Sequence, residues 1–309
     1  MDMSSVVALI GRADASGLAV GVSVDAEVVF RCRGEVAGEP VGPHSLMYGA
    51  SLTKQVIGVI LARAVLDDTI GFGDHIRTWM PELPTWMDPV QLCHLLHHTS
   101  GLPEVTSADH EVAAANVIVV ERLQGLPGPG GAAPGRELAY CNTGYILLAE
   151  AIARAVGRPI QDIAASQLFE PLGMSDTRLG GPSPRVPGHL DAPGTIGDGG
   201  LWTSVADMLA WLTALNRHTF GAELMRTVET PGRLADGTSI DYAWGVRVTS
   251  AATGRTITHG GTWGSWLSKT VRQPEQRIAV AVLSSGGTEE PISTLGTDLA
   301  TTLASARPI

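Results

Sequence analysis

The spacing of apolar residues along the chain restricts its fold more than any other feature. Apolar residues have the spacing of strands at both ends of the chain and the spacing of helices between them. Two β-branched runs, 17–24 and 26–32, are separated by Asp25 and predict a β-hairpin. Four later runs also predict strands: 242–248, 255–259, 265–272 and 278–283. The pattern therefore predicts one α/β domain interrupted by an all-helical one.

Helical periodicity marks the segments between and after these strands. The predicted helices are 51–66, 89–98, 145–156, 160–169, 205–215 and 291–304. Residues 125–135 are rich in Gly and Pro and predict an irregular loop. We predict an α/β plus all-α fold, with an antiparallel sheet flanked by helices. In it, residues 1–67 and 238–309 form the sheet domain, residues 68–237 form the inserted helical domain, and the active site lies in the cleft between them.

Charge limits the classes of partner. The chain has 309 residues, 44% of them hydrophobic and 17% charged, and a formal net charge of -10. This apolar content is ordinary for a globular protein and too high for disorder. The negative charge disfavours nucleic acid and anionic membranes, but it does not exclude a small anionic substrate in a pocket of opposite local charge. We expect a small-molecule acyl substrate, no nucleic acid partner and no membrane.

The N-terminal residues and the cysteines bear on the cellular compartment. No basic start, long apolar core or small-residue cleavage site is evident near the N-terminus, so we expect a cytoplasmic protein. Cys32, Cys93 and Cys141 are an odd number of widely spaced residues, which favours free thiols over a disulfide.

Lysine is scarce, since only Lys54 and Lys269 occur among 21 basic residues. Unlike arginine, a desolvated lysine can lose its proton and act as a base. In Ser51-Leu52-Thr53-Lys54 the spacing of three residues places the serine and the amine on one helix face, where the amine can accept the serine proton. The helix N-terminus also favours negative charge at the serine oxygen. Alone, this motif is weak, and the scarcity of lysine strengthens it.

Two further motifs carry polar groups suited to acyl chemistry. Tyr140-Cys141-Asn142 precedes a helix; a phenol near an ammonium can be driven toward phenolate and shuttle protons, while Asn142 can donate its amide to a substrate carbonyl. The alternative is a simple helix entry. His259-Gly260-Gly261-Thr262 follows a short β run, where glycines allow a substrate to lie against the strand and an exposed N–H to face an oxyanion. The alternative is a β-bulge or turn.

Together and in this order, the three motifs resemble the family of serine β-lactamases and penicillin-binding proteins, which includes class C β-lactamases, D-Ala-D-Ala carboxypeptidases and family VIII esterases. The resemblance covers residues 17–285, which is too long a stretch to be a chance match. It continues through the segments 50–55 (ASLTKQ), 95–103 (LLHHTSGLP), 140–145 (YCNTGY), 169–174 (FEPLGM) and 199–204 (GGLWTS).

The resemblance implies Ser51 as the nucleophile, Lys54 as its base or proton relay, and Tyr140 as the acid/base that protonates the leaving group. It also implies that the backbone N–H groups of Ser51 and Thr262 form the oxyanion hole. The substrate-binding residues that we predict are Asn142, His259, Gly261, Thr262 and Trp263.

The chain departs from the family pattern at two positions. His259 stands where many relatives carry Lys, and Gly260 replaces the Thr or Ser hydroxyl with which penicillin-recognising relatives often hold a carboxylate. We therefore expect weakened carboxylate recognition and weak or absent β-lactamase activity.

Three other features receive ordinary structural roles or stay open. The residues His94, His97 and His98 have a metal-like spacing, but no carboxylate or Cys completes a ligand set, so we expect no metal and no cofactor. Trp202 and Trp263 are equally consistent with a pocket wall and with core packing. Asp198 is favoured as a turn residue.

We predict a serine hydrolase that acts on an ester or amide (a carboxylic ester, a peptide-like amide or a lactam) through an acyl-Ser51 intermediate. The alternative is an ATP-independent transacylase of small-molecule biosynthesis, which would pass the acyl group to an amine or alcohol. A non-catalytic binding module on the same fold is a third hypothesis, and the intact Ser51, Lys54, Tyr140 and Asn142 count against it. Sequence does not separate the first two, because they differ only in whether water or another acceptor reaches the acyl group.

Overall fold

An antiparallel sheet built from both ends of the chain forms the centre of the protein. The computed structural model describes residues 8–11, 15–25, 27–105, 115–182, 191–251 and 254–306. The strands found there are β1 Gly17–Val24, β2 Glu27–Val36, β3 Glu39–Pro40, β4 Met47–Ala50, β5 Arg178–Leu179, β6 Leu201–Thr203, β7 Arg247–Ala251, β8 Gly254–Trp263, β9 Trp266–Gln273 and β10 Ile278–Ser285. Within these ranges, seven strands form the main sheet in the order β3-β2-β1-β10-β9-β8-β7, and a small sheet has the order β4-β6-β5.

Helices fill the region between the two groups of strands and close the chain. They are α1 Thr53–Leu66, α2 Ile76–Trp79, α3 Leu92–Leu96, α4 Ala115–Gln124, α5 Asn142–Val156, α6 Ile160–Ala164, α7 Val205–Asn216, α8 Ala222–Val228 and α9 Glu289–Ser305. Helix α6 continues as a π-helical turn at Ala165–Phe169, and shorter 3₁₀ turns lie at Thr85–Met87, Glu170–Leu172 and Pro274–Gln276.

The main sheet is covered on both faces, which explains why its central strands are apolar throughout. Leu18 and Val20 of β1 pack with Leu299 of α9 in one apolar cluster. Ala19, which points to the opposite face, belongs to the larger cluster that contains α1, α5 and α7. Since successive side chains of a strand point to opposite faces, a strand buried on both sides needs apolar residues at nearly every position.

The antiparallel sheet flanked by helices is confirmed, and so are most of its predicted elements. The N-terminal hairpin forms, and its second strand runs four residues beyond the predicted end to Val36. Helix α5 ends at Gly157, which adopts a left-handed conformation (φ 71°). Helix α7 begins after Ser204, whose hydroxyl accepts a hydrogen bond from the Asp207 N–H. The segment 125–135 contains neither helix nor strand.

The predicted strand 242–248 is wrong over most of its length, because β7 begins only at Arg247. The preceding residues form a tight turn in which the Ala243 N–H donates to the Val246 carbonyl. This turn is packed against α1, since a Cβ on Gly245 would lie 2.0 Å from the carbonyl oxygen of Lys54. Gly245 also has a φ of 81°, which favours glycine. Contact with α1 thus holds residues 243–246 in a turn, and Tyr242 forms an isolated β-bridge with Arg247.

The predicted helix 89–98 is also shorter than expected. Helix α3 covers only Leu92–Leu96 and is capped by a reciprocal pair of hydrogen bonds between Gln91 and His94. Gln91 forms an isolated β-bridge with His75, which holds the segment before the helix extended. The pairing with His75 joins positions distant in sequence and is not visible in the local periodicity.

The domain boundaries at residues 67/68 and 237/238 remain a prediction. Helix α7 falls in the segment 68–237 yet packs against β1 and β10 of the main sheet. The N-terminal run considered for an export signal lies partly outside the described residues, which omit 1–7 and 12–14. In the parts of the chain that are described, none of the helices combines the length and hydropathy needed to cross a membrane.

Candidate active site

Ser51 lies in a sharp turn between β4 and α1. The turn follows Ala50, whose φ of 45° is in the left-handed region that non-glycine residues seldom adopt. Helix α1 begins two residues later, at Thr53, so Ser51 precedes the helix rather than lying within it. The Thr53 hydroxyl donates to the Ala50 carbonyl and accepts from the Leu201 N–H, which ties the turn to β6. Ser51 is therefore held at a helix N-terminus.

Lys54 lies one turn further on, and its side chain is completely buried. Its Nζ donates to Ser51 Oγ (3.0 Å), Asn142 Oδ1 (2.8 Å) and the Asp198 carbonyl oxygen (2.8 Å). Burial lowers the pKa of Lys54 to about 8, against the opposing effects of nearby negative groups, first among them Asp198. Three acceptors match the three hydrogens of an ammonium group, and loss of one proton frees a lone pair that can take the Ser51 proton.

Tyr140 is hydrogen-bonded to the side chain of Ser51 from the other side. Its ring centroid lies 4.9 Å from Lys54 Nζ and 4.1 Å from the ring centroid of His98. Burial raises the pKa of Tyr140, and the negative charge of Asp198 raises it further, although the bond to Ser51 acts in the opposite direction. This is contrary to the expected shift toward phenolate: Tyr140 is held as a protonated phenol, which makes it a proton donor.

Asn142, the first residue of α5, is oriented by a residue that the sequence analysis missed. Glu104 accepts hydrogen bonds from Asn142 Nδ2 (2.6 Å) and from the Asn142 backbone N–H (2.8 Å). Because the amide nitrogen faces Glu104, the amide oxygen faces Lys54. Its only local sign in the sequence is an acidic side chain directly after Leu102-Pro103.

His259 lies buried on β8, at the edge of the same site. Its Nδ1 lies 2.6 Å from the Gly260 carbonyl oxygen, and its Nε2 lies 2.9 Å from the Tyr242 hydroxyl. Burial, followed by the positive charge of Lys54, lowers the pKa of His259 to about 3. The ring is therefore neutral at a position where many members of the family that the sequence resembles carry a lysine. Tyr242, the hydrogen-bond partner of this ring, was not among the residues predicted from sequence.

The two glycines after His259 differ in how closely other atoms approach them. A Cβ on Gly261 would lie 2.5 Å from the Gly49 carbonyl oxygen and 2.9 Å from the Ser51 nitrogen, so β8 runs directly against the backbone of the nucleophile. A Cβ on Gly260 would meet nothing closer than 3.5 Å. Thr262 follows Gly261 in β8 and lines the cavity, and the oxyanion-hole role of its N–H stays a prediction.

A cavity of about 390 Å³ opens above Ser51. Its lining includes the predicted residues Ser51, Tyr140, Asn142, His259, Gly261 and Thr262, together with Tyr242, Arg247, Thr258, Gly260, Lys269, Glu289 and Ser293. Trp263 does not line this cavity; it lies at the end of β8, and its indole N–H donates to the Asp191 carbonyl. Trp202 packs in the core against Tyr48 and Trp266.

Two cationic side chains thus enter the cleft from β7 and β9. Lys269 lies directly across from Gly260 in the sheet, and a Cβ on Gly260 would lie 3.9 Å from its Cδ. Arg247 also lines the cavity and forms an ion pair with Asp241. The scarcity of lysine was the sequence signal for Lys269, although only Lys54 was assigned to the site.

Asp198 combines the expected turn role with a position beside the nucleophile. Its neighbours Gly197 and Gly200 have φ values of 127° and 101°, which place the Asp198 carbonyl against Lys54. Its side-chain oxygen Oδ1 is buried and has no hydrogen-bond partner. Burial raises the pKa of Asp198, while the positive charge of Lys54 lowers it.

The three histidines weighed as metal ligands make separate hydrogen bonds. His94 Nδ1 accepts from the Gln91 N–H, His97 Nδ1 donates to the Tyr242 carbonyl, and His98 Nδ1 accepts from the Cys141 N–H. Among the residues that the structure describes, no three His, Cys, Asp or Glu side chains are grouped so as to hold a metal ion. Cys32, Cys93 and Cys141 are free thiols.

Comparisons with known proteins identify the family and the fold of this chain. The model of the Beta-lactamase family matches residues 6–302. Penicillin-binding protein 4* of Bacillus subtilis (strain 168) is 29% identical over 282 residues, covering 79% of this chain and 62% of the relative. The D-alanyl-D-alanine-carboxypeptidase/endopeptidase AmpH of Escherichia coli (strain K12) is 32% identical over 219 residues, covering 64% of this chain and 57% of the relative. The chain spans less than two thirds of either relative.

Solved structures share the fold. A class C beta-lactamase superposes with a TM-score of 0.81 at 15% sequence identity, covering 100% of this chain and 98% of that one.

Proposed function

The chain belongs to the beta-lactamase family, and we propose that it is a serine hydrolase that cleaves an ester or amide through an acyl-Ser51 intermediate. The observation that carries the proposal is the hydrogen bond of 3.0 Å between Lys54 Nζ and Ser51 Oγ, made by a fully buried amine whose pKa is lowered to about 8. An amine with this pKa is partly neutral near physiological pH and can take the serine proton.

In the acylation step, neutral Lys54 accepts the proton of Ser51 while Ser51 Oγ forms a bond to the substrate carbonyl carbon. The negative charge that develops on the carbonyl oxygen faces the backbone N–H groups of Ser51 and Thr262. As the bond to the leaving group breaks, Tyr140 gives its phenolic proton to that group. The ammonium of Lys54, whose Nζ lies 4.9 Å from the Tyr140 ring centroid, then returns the proton it took from Ser51 to Tyr140, and Lys54 is neutral again. In deacylation, water enters and the same transfers run in reverse.

The charge in the cleft favours a particular class of substrate. Lys269 and Arg247 line the cavity on the side of Gly260, where the family pattern has the hydroxyl that this chain lacks. Arg247 is paired with Asp241, and Glu289 places an opposing charge in the same lining, so Lys269 is the cation that attracts an anionic group. We therefore propose an ester or peptide-like amide that carries a carboxylate in its leaving group, bound through Lys269. This revises our expectation of weakened carboxylate recognition, while weak β-lactamase activity stays a prediction. The carboxypeptidase named among the relatives acts, by its printed name, on a D-alanyl-D-alanine substrate.

A matched pair of thioesters tests the proposal. The two substrates have the same acyl group and differ only in whether the leaving group carries a carboxylate. Intact-protein mass spectrometry detects the acyl-enzyme, and steady-state kinetics give kcat/KM for each substrate. We expect both substrates to acylate the enzyme and the anionic substrate to have the higher kcat/KM. This difference between the two substrates should disappear in Lys269→Gln. Absence of any acyl-enzyme across such a panel contradicts the hydrolase proposal, whereas equal kcat/KM values contradict only the substrate class.

The same assay separates hydrolysis from acyl transfer. With hydrolysis, added amines or alcohols leave the breakdown rate of the acyl-enzyme unchanged. A faster breakdown with formation of the coupled product would instead support a transacylase.

A further inference from the structure

We propose that Asp198 is a positioning residue that acts through Lys54, because its buried carboxylate stabilises the ammonium form of Lys54 and thereby sets both the strength of the base and the pH at which it works. The inference deepens the proposed function and rests on its assignment of Lys54 as the base. Asp198 itself does not contact the reacting atoms.

The loop before β6 fixes the position of Asp198 relative to Lys54. The Asp198 carbonyl oxygen accepts from Lys54 Nζ at 2.8 Å. The next residue, Gly199, packs closely against Tyr48, since a Cβ there would lie 2.4 Å from the Tyr48 hydroxyl. The Asp198 carboxyl group is hydrogen-bonded by the Thr195 side chain and the Gly199 N–H, yet Oδ1 is buried without a partner.

A buried carboxylate oxygen that lacks a hydrogen bond is costly unless a nearby positive charge compensates it. Burial raises the pKa of Asp198 above its ordinary value, and the positive charge of Lys54 is the largest effect in the opposite direction. The same interaction acts in return on Lys54, whose pKa burial would lower further without Asp198. The unpartnered oxygen is therefore explained if it serves the electrostatics of Lys54 rather than a local hydrogen bond.

The other titratable groups around Lys54 do not provide an equivalent charge. They are His98, Glu104, Tyr140, Cys141, Tyr145 and His259. Burial lowers the pKa of both histidines and raises the pKa of the two tyrosines and the cysteine, so all five are uncharged near neutral pH. Glu104 is exposed to solvent, which screens its charge. Asp198 is thus the buried negative group in this set.

Two opposite kinetic consequences follow from the charge of Asp198. The ammonium that forms when Lys54 takes the Ser51 proton is stabilised, which makes neutral Lys54 a stronger base. The same stabilisation keeps more of Lys54 protonated in the resting enzyme at acidic pH. Removal of the charge should therefore slow acylation on the alkaline side and speed it on the acidic side, so that the pH profiles of kcat/KM cross.

The presence of only two lysines in the chain allows a direct measurement. Protein labelled with ¹³C at lysine Cε gives two lysine signals, and Lys54→Met assigns the signal of Lys54. We expect Asp198→Asn to lower the pKa of Lys54 by ~1–3 units, the usual effect of one opposite charge at close range. Asp198→Ala is a second variant in case Asp198→Asn folds poorly. It keeps the backbone carbonyl at position 198 that accepts the hydrogen bond from Lys54.

Asp207→Asn is the matched control. Asp207 is another buried aspartate, but its carboxylate accepts from the Asp176 N–H and the Thr177 hydroxyl, outside the cleft. It should alter stability without moving the Lys54 signal. An unchanged Lys54 pKa in both Asp198 variants, or a uniform loss of kcat/KM at all pH values, overturns the inference. Failure of wild-type Ser51 to become acylated would overturn the proposed function instead. Acylation is measured separately from the pKa of Lys54, so the two failures are distinguishable.

Discussion

The hydroxyl of Tyr242 donates a hydrogen bond to Nε2 of His259, at 2.9 Å, because Nδ1 of the same ring faces the Gly260 carbonyl oxygen and must carry the ring proton. The pair keeps the imidazole neutral and fixes its orientation at the edge of the cleft. Positive charge near the nucleophile therefore comes from Lys54, Lys269 and Arg247 and not from His259.

Tyr242→Phe should destabilise the fold more than it impairs the chemistry. It leaves His259 Nε2 buried without a donor, which costs about 1–3 kcal/mol in the free energy of unfolding. Urea denaturation measures this loss. Tyr140→Phe is the matched variant: we expect unchanged unfolding but a loss of at least ~100-fold in kcat, since a proton donor is removed from the reaction. If Tyr242→Phe abolishes acylation while Tyr140→Phe does not, the two roles are reversed.

The pH profile of kcat/KM should report the ionisation of Lys54. The base acts only when neutral, so below its pKa of about 8 the rate should fall by about tenfold per pH unit, and above it the rate should level. His259 adds no step near neutral pH, because its pKa is about 3. The measurement needs a substrate whose leaving group does not titrate in this range. A midpoint at the ordinary lysine value of 10.5 would show that Lys54 is not desolvated as described.

Substitution by arginine should affect kcat/KM differently at the two lysines. Lys54→Arg keeps the positive charge but cannot supply a neutral amine, and it should lower kcat/KM by at least ~100-fold. Lys269→Arg keeps the charge that the cleft presents and should be nearly silent, whereas Lys269→Gln should raise KM for carboxylate-bearing substrates alone. Steady-state kinetics with the matched thioesters distinguish these effects. Equal losses in Lys54→Arg and Lys269→Arg would contradict both assignments.

Adjacent glycines of β8 provide a test of the packing around Ser51. Gly261→Ala places a methyl group against the Gly49 carbonyl and the Ser51 nitrogen, both of them backbone atoms that cannot easily move. We expect acylation to fall by at least ~100-fold, because a shift of the nucleophile of about 1 Å costs that much. Gly260→Ala meets only ordinary contacts and should be acylated at nearly the wild-type rate. If both variants are acylated at nearly the wild-type rate, β8 does not run as close to Ser51 as described here.

What the sequence predicted correctly is mostly local. The Ser51-to-Lys54 spacing and the N-terminal hairpin depend on residues within one turn or one pair of strands, so periodicity and turn chemistry suffice. Glu104 was missed, and Asp198 was given only a turn role, because the contacts of both residues join positions that are distant in sequence. Asp198 contacts Lys54 across 144 residues, and Glu104 reaches Asn142 across 38.

The misplaced strand at 242–248 has the same origin. Its apolar and β-branched residues fit a strand, but Gly245 must accommodate the Lys54 carbonyl, and the resulting turn also brings Tyr242 to His259. Tertiary contact with α1 thus overrides the local propensity. Lys269 reaches the cleft through its register with Gly260, which only the pairing of β8 with β9 reveals.

The most direct test of the account is to locate the acyl group. Wild-type protein and Ser51→Ala are mixed with an activated ester, quenched, digested, and mapped by tandem mass spectrometry. The account predicts one acyl group per wild-type chain, attached to Ser51, and neither labelling nor turnover in Ser51→Ala despite an unchanged fold. Turnover by Ser51→Ala at the wild-type rate, or an acyl group attached to any other residue during turnover, would contradict it.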